Sequence, residues 1–209
     1  MEVKKVMKKY LWLLASIVCC FISACSFRND VTEKELNESD IYQSENKAVI
    51  DSGKYYRIYK TNITEVNYDI YNSKGEVILS QTTDRPLEID MINDEIIDIS
   101  TGMRTGLVIH KYYSVKQELF SEEFSYVVAN LNDLVAYIGF SQEGGFENRR
   151  VIVQNIFDKN LFFEEYQLNF SNVDTPVIQA TFSEDGSALQ LIYLSGKEKV
   201  QVSEVLNLK

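Results

Sequence analysis

Cysteine, histidine, tryptophan and proline are all scarce in this chain of 209 residues, which has three, one, one and two of them respectively. The cysteines are Cys19, Cys20 and Cys25, so disulfide bonds and thiolate metal sites are excluded from residues 26–209. The one histidine, His110, with scattered carboxylates does not supply the ligand set of a structural zinc site. Aspartates in the expected turns offer oxygen ligands for Ca²⁺, but none lies in an EF-hand loop. We therefore predict no metal site and no cofactor.

Positive charge is also in deficit. The whole chain has 21 basic and 31 acidic side chains and a formal net charge of −10. Residues 25–209 alone contain 17 basic and 30 acidic side chains, which gives a net charge of −13. A general nucleic-acid binder needs a basic face to neutralise phosphates, so nucleic acid is not an expected partner.

The first 25 residues combine a basic head with an apolar run that ends at a cysteine. Four lysines precede the run, which extends from Tyr10 to Ala24 and closes on Ile22-Ser23-Ala24-Cys25. Small residues just before a cleavage point are typical of a secretory signal. The alternative, an uncleaved membrane anchor, needs about 20 apolar residues. This run has fifteen and is therefore too short.

This stretch resembles the bacterial lipoprotein signal, whose lipobox is an aliphatic residue, two small residues and a cysteine. The resemblance implies that residues 1–24 are removed and that Cys25 receives a diacylglycerol thioether and becomes the N-terminus. It also implies a protein anchored by lipid to the cell membrane, on the extracytoplasmic face. Two acyl chains make a stable anchor, since each buried methylene contributes about 0.8 kcal/mol. The abundance of Lys, Ile, Asn and Tyr suggests a Gram-positive source.

The segment after the signal differs in composition from the rest of the chain. Residues 25–46 are polar, rich in acidic side chains and nearly free of large aliphatic ones. Such a segment cannot bury enough apolar surface to fold, so we predict a flexible, lipidated tether. Residues 47–209 are numerous enough to fold as one domain with a substantial core.

Residues from about 48 onward have the composition and spacing of β-strands. Tyr, Phe, Ile and Val recur in short alternating runs separated by polar clusters, and no long segment shows a helical period. Three strand–turn–strand units recur at offsets of 42 and 43 residues, with Lys74, Lys116 and Lys159 in their turns. A further hairpin precedes each unit, and another occupies residues 177–194. A period near 40 with about four strands is typical of propeller blades.

The last unit carries a more specific signal. Its sequence Thr181-Phe-Ser-Glu-Asp-Gly-Ser-Ala-Leu-Gln-Leu resembles the phenylalanine, serine, x, aspartate, glycine turn of WD-type and related bacterial propeller repeats, with Glu184 where proline is usual. We predict an all-β, antiparallel, β-propeller-like domain of about four blades. It is open or incomplete, because the fourth unit has three strands, and residues 40–43 are one candidate for the missing strand. A β-sandwich or barrel is the alternative.

Candidate catalytic groups are few. A Ser-His-Asp interpretation of His110 with Ser114 and Asp98 lacks a nucleophile elbow, so a surface or half-buried histidine is the better interpretation. The members of the doublets Glu122-Glu123 and Glu164-Glu165 point to opposite faces of a strand and do not form an acid–base pair by themselves. We assign no catalytic residue.

The connections between the second and third strands of each unit should converge at one end of the blades, and they carry basic side chains in an acidic domain. Arginines and aromatic residues on exposed loops are typical of binding surfaces; the plain alternative is solvated charge that is neutralised locally. We predict a non-enzymatic lipoprotein that binds a membrane protein, or an extracellular partner or ligand. A cell-surface hydrolase acting on glycans or peptides is the alternative. The candidate binding residues are Lys60, Arg104, Phe146, Arg149 and Arg150.

Overall fold

The structure is a computed structural model that describes residues 48–140 and 149–209. The predicted signal, Cys25, the tether and Phe146 lie outside these residues. The described chain contains no helix, and hence none that is long and apolar enough to cross a membrane. Its strands are β1 (Val49–Ser52), β2 (Tyr56–Lys60), β3 (Val66–Tyr71), β4 (Val77–Thr83), β5 (Leu87–Met91), β6 (Ile96–Gly102), β7 (Val108–Ser114), β8 (Leu119–Ser125), β9 (Val127–Leu131), β10 (Leu134–Phe140), β11 (Arg149–Asn155), β12 (Phe163–Gln167), β13 (Val177–Phe182), β14 (Ala188–Ser195) and β15 (Val200–Asn207).

The strands form four antiparallel sheets, each an up-and-down meander in chain order. Sheet 1 contains β1–β4, sheet 2 β5–β8, sheet 3 β9–β12 and sheet 4 the three strands β13–β15. Over the described residues no sheet closes on itself, so the arrangement is an open, β-propeller-like one. The predicted fold is confirmed, and it displaces the sandwich and barrel alternatives. The candidate extra strand at residues 40–43 lies outside the described part of the chain.

The sequence repeat corresponds to a structural repeat. Lys74, Lys116 and Lys159 all lie in the turns that join the third and fourth strands of their sheets. In the Phe-Ser-x-Asp-Gly turn, Gly186 has a φ of 70°, which glycine adopts without steric cost. The Asp185 carboxylate accepts hydrogen bonds from the Ser183 hydroxyl at 2.7 Å and from the backbone N–H of Ser187 at 3.0 Å.

Apolar side chains fill the spaces between successive sheets. Strand β6 shows why, because it is buried on both faces: Ile97 and Ile99 pack toward sheet 1, while Ile96 and Asp98 face sheet 3. A strand covered on both sides becomes almost continuously apolar. The core clusters are represented by Ile70, Ile97 and Tyr113 between sheets 1 and 2, by Tyr112, Phe124 and Val135 between sheets 2 and 3, and by Val151, Val153 and Leu191 between sheets 3 and 4.

The two terminal sheets differ on the faces turned away from their neighbours. In β3, Tyr68 and Ile70 pack toward sheet 2, so the alternating residues Asn67 and Asp69 lie on the opposite face. In β14, Leu191 packs toward sheet 3, and the opposite face carries the exposed Gln190 together with the partly exposed Ile192. The outer face of β3 is thus polar, as the end of a stack of repeats needs in order to meet water, whereas that of β14 is mixed.

The links between sheets differ greatly in length. Residues 84–86 connect sheets 1 and 2, and residues 168–176 connect sheets 3 and 4. Between sheets 2 and 3 the link is the single residue Tyr126, whose φ is 56°. A positive φ, in the left-handed region, lets the chain turn sharply at one residue. Bulky aromatic residues seldom adopt this backbone conformation.

Candidate ligand-binding groove

The connections between the second and third strands lie at the same end of the sheets as the inter-sheet links. We call this end the rim. It includes residues 61–65, 103–107 and 196–199, together with both strand ends that flank the undescribed residues 141–148. The inter-sheet links at this end differ in length from one pair of sheets to the next, so the rim is where the repeat can diverge without disturbing the sheets.

Three of the candidate binding residues lie at the rim with at least part of the side chain exposed. Lys60 is the exposed last residue of β2. The side chain of Arg104 is 93% exposed, with its Nη2 3.6 Å from Asp84 Oδ2. Arg150 is half-exposed, and its Nη1 lies 2.7 Å from Glu165 Oε2 on β12. The two arginines thus have acidic neighbours, as solvated surface charges commonly do.

Arg149 does not occupy the exposed position that we expected from the sequence. It is only 1% exposed, because it shares a strand face with Val151 and Val153, which pack against sheet 4. Its Nη1 donates to the carbonyl oxygens of Ser171, at 3.5 Å, and Val173. The side chain therefore braces the link before β13 and does not present a charge at the surface.

Two cavities at the rim share a wall and together form what we call the groove. One, of about 290 Å³, lies between sheets 3 and 4. The other, of about 550 Å³, extends toward the β6–β7 turn of sheet 2. Both are lined by Tyr126, Val127, Asp174 and Thr175. Their size is in the range of small-molecule and side-chain binding sites.

An aromatic pair forms one wall of the groove. The ring of Tyr126 meets that of Phe140 edge to face, with centroids 4.9 Å apart and an interplanar angle of 69°. The two residues are 38% and 40% exposed, respectively. The Arg149 guanidinium carbon lies 5.8 Å from the centre of the Phe140 ring. The buried Arg149 guanidinium thus helps to position the ring of Phe140, and the one-residue link between sheets 2 and 3 positions the ring of Tyr126.

The opposite wall is formed by the link that Arg149 braces and by the start of β13. The link contributes Asp174 and Pro176, and β13 contributes Val177 and Ile178, the last of which is 54% exposed. A mainly apolar wall with one exposed carboxylate is thereby held against the aromatic pair. Because the brace is internal, the groove exists before any ligand arrives, which lowers the entropic cost of binding.

The larger cavity also contains the only histidine of the chain. His110 Nδ1 lies 2.9 Å from Asp98 Oδ2 and 3.1 Å from Oδ1, across the β6–β7 pair. A carboxylate partner holds the proton on Nδ1, so Nε2 of the neutral ring is a hydrogen-bond acceptor. Burial, followed by the charge of Asp98, raises the pKa of the neighbouring Tyr112 hydroxyl, so Tyr112 stays neutral.

The pair of Asp98 and His110 is not completed to a triad by Ser114. Four residues along an extended strand separate Ser114 from His110, about 13 Å. The Ser114 hydroxyl instead accepts a hydrogen bond from Gln117 N at 3.2 Å, in the turn at the other end of β7. Within the described part of the chain, no group of three His, Cys, Asp or Glu side chains is placed to hold a metal ion.

Comparisons with known proteins add little to this picture. No protein-family model matches the chain, and no curated protein does. Among solved structures, a prolyl endopeptidase is similar over 78% of this chain and 28% of its own, with 16% identity and a TM-score of 0.39. An uncharacterized Listeria monocytogenes protein is similar over 75% of this chain and 51% of its own, with 11% identity and a TM-score of 0.31. The chain thus spans between a quarter and about half of these proteins. Likeness at this level carries no argument about function.

The sequence placed the candidate binding residues at the rim, where the groove also lies, but did not indicate the residues that line the groove. Tyr126, Phe140 and Asp174 were not singled out, because in sequence they are ordinary residues at strand ends and in a polar link. Tyr126 directly joins two strand-like runs with no Gly, Asn or Asp between them, so the usual turn residues gave no signal of this junction.

Proposed function

We propose that this chain is a lipid-anchored, extracytoplasmic binding protein that holds a ligand in the groove without acting on it chemically. The observation that supports binding is the preformed cavity with two exposed aromatic rings, at the loop end of a rigid β scaffold. The anchoring part of the proposal rests on the sequence of residues 1–25.

Matched substitutions test the binding function. Ile178, at 54% exposed, lies in the groove, whereas Val205, at 55% exposed, lies on β15 and lines neither cavity. Full-length protein carrying Ile178→Arg or Val205→Arg is purified in non-ionic detergent from the producing cell and analysed by native mass spectrometry, with and without in-cell crosslinking. We expect a retained ligand or crosslinked partner to be lost only with Ile178→Arg. Equal retention by both variants would remove the groove from consideration.

The anchor has its own test. Cys25→Ala should abolish lipid labelling and move the protein from the detergent phase to the aqueous phase in a phase-separation assay. A Cys20→Ala control should leave lipidation unchanged. Membrane retention of Cys25→Ala equal to that of the wild type would contradict lipid anchoring at this residue.

A hydrolase acting on glycans or peptides is the second candidate, and the Asp98–His110 pair at the larger cavity is the observation that favours it. Activity would require a nucleophile or second acid–base group that Ser114 does not supply. Purified wild type and His110→Gln are compared on peptide and cell-wall glycan substrates. Turnover that is lost in His110→Gln would establish this candidate over simple binding.

A further inference from the structure

We propose that the groove recognises an ammonium group attached to an apolar body. This inference rests on the proposed binding function and specifies the chemistry of its ligand. Three features of the groove carry it: Asp174 and His110 offer hydrogen-bond acceptors, the exposed charge is negative, and most of the remaining lining is apolar or aromatic.

The polar groups that line the groove favour a donor with positive charge. Asp174 is exposed, lines both cavities and contributes a carboxylate. His110 lines the larger cavity, and in its neutral form, with the Nδ1 proton donated to Asp98, its Nε2 is an acceptor. An ammonium group can donate to either of these groups, whereas an anion would be repelled by the Asp174 carboxylate.

The aromatic wall favours the same ligand. The face of a tyrosine or phenylalanine ring is negative and attracts cations within about 6 Å of its centroid. Tyr126 lines both cavities together with Asp174, and Phe140, whose ring already has the Arg149 guanidinium carbon 5.8 Å from its centre, supports it edge to face. Pro176, Val177 and Ile178 on the opposite wall then cover the apolar body of the ligand.

Arg149 is the positive group that borders this cavity. It is 1% exposed, and its Nη1 donates to the carbonyl oxygens of Ser171 and Val173. Its charge therefore lies beneath the surface, and the exposed charged group at this cavity is Asp174. The next rim cation, Arg104, lines neither cavity and is paired with Asp84.

Three probes with one body and different charges test the proposal: phenethylamine, phenethyl alcohol and phenylacetate. Each is titrated by calorimetry into the full-length chain in a maltoside detergent, which carries no ammonium group. We expect phenethylamine to bind at least tenfold more tightly than either of the others. A lysyl-phenylalanine amide forms a parallel arm, and tighter binding of this peptide than of the free amine would identify a peptide as the source of the ammonium group.

Substitutions then locate the site. Asp174→Asn should weaken phenethylamine binding about tenfold, and Tyr126→Gly should weaken it by at least as much. Asp94→Asn, an exposed carboxylate in the β5–β6 turn at the other end of the sheets, should leave it unchanged. Equal affinity for the amine and the alcohol, tighter binding of phenylacetate, or no amine binding would each overturn the ammonium proposal. The Ile178→Arg comparison would stand in all three cases, so failure here is distinguishable from failure of the binding function.

Discussion

The contact between sheets 1 and 2 and the contact between sheets 3 and 4 are built from the same repeat but differ at the rim. Between sheets 1 and 2 the link has three residues, and the Gly102 N–H donates to the Pro86 carbonyl oxygen at 2.8 Å. A Cβ on Gly102 would lie 3.2 Å from Pro86, so backbone and proline are in close contact. Two cavities lie beside this link: one has no aromatic lining residue and carries both Asp51 and Arg85, and the other has one aromatic lining residue, Tyr68, which is buried.

Between sheets 3 and 4 the nine-residue link is also held by backbone hydrogen bonds, including those from Leu194 N–H to the Pro176 carbonyl oxygen at 2.8 Å and from Ser171 N–H to the Leu194 carbonyl oxygen at 2.7 Å. Here Arg149 of sheet 3 adds side-chain hydrogen bonds to the link, beside a cavity with exposed rings and one exposed carboxylate. The difference teaches that the repeat determines the core, while the inter-sheet links determine where a ligand can enter.

Truncating the sheet 1–2 core should have the largest effect on stability. Ile97 is fully buried there, so Ile97→Ala should lower the free energy of unfolding by about 2–5 kcal/mol through lost apolar contact and a residual cavity. Urea unfolding of the full chain measures it, with the 58% exposed Val200→Ala as control, expected within about 0.5 kcal/mol. Ligand affinity of the folded Ile97→Ala protein should be unchanged. Altered affinity would show that the two contacts are coupled.

Removing the brace should have an effect on both stability and binding. Arg149→Met keeps most of the apolar stem but leaves two carbonyl oxygens without this donor, which should cost about 1–3 kcal/mol. Arg104→Met, at a surface ion pair, should change stability by less than about 1 kcal/mol. Thermal unfolding and phenethylamine titration of both variants report the two effects. If Arg149→Met and Arg104→Met had the same stability and the same affinity for phenethylamine, the hydrogen bonds from Arg149 to the link would have no role in either property.

The one-residue link offers a smaller test. Tyr126→Gly and Tyr126→Ala both remove the ring, but only glycine adopts a φ of 56° without steric cost. Tyr126→Gly should therefore be more stable than Tyr126→Ala by about 1 kcal/mol, while both lose ligand affinity. Urea unfolding of the two variants measures this difference in the free energy of unfolding. Equal stability of the two variants would mean that the link relaxes to a different conformation.

The smallest expected effect is at Asp185, an exposed residue in the β13–β14 turn at the end of sheet 4 opposite the rim. Hydrogen bonds from the Ser187 backbone and from the Ser183 and Ser187 hydroxyls lower the pKa of Asp185 to about 2. Since the folded pKa is below the ordinary value of 3.8, the ionised carboxylate stabilises the fold above about pH 4, and this contribution is lost as the pH falls through about 2. The stability difference between wild type and Asp185→Asn, measured from about pH 5 downward, should shrink across that window. A constant difference would contradict the lowered pKa.

The fold could be predicted because its signals are local. Alternating residues such as Tyr68 and Ile70, lysine-containing turns at regular offsets and the Asp185-Gly186 turn each specify a strand or hairpin without reference to distant residues. The site could not, because it depends on which residues from different sheets meet. The register of β11 places Arg149 on the buried face and Arg150 on the half-exposed face. A shift of one residue in that register would have reversed which arginine is buried. Asp174 lines the groove because its link is held by the buried side chain of Arg149 and by backbone hydrogen bonds to β14.

Because His110 is the only histidine of the chain, its ring resonances give a direct test of ligand binding in the groove. The full-length protein in maltoside micelles is labelled with ¹⁵N-histidine and titrated with phenethylamine. We expect a ring with its proton on Nδ1, and saturable shifts of the Nε2 signal that disappear in Asp174→Asn and Tyr126→Gly but persist in Asp94→Asn. An imidazole spectrum that does not respond to the amine, or that responds equally in all four proteins, would contradict the account.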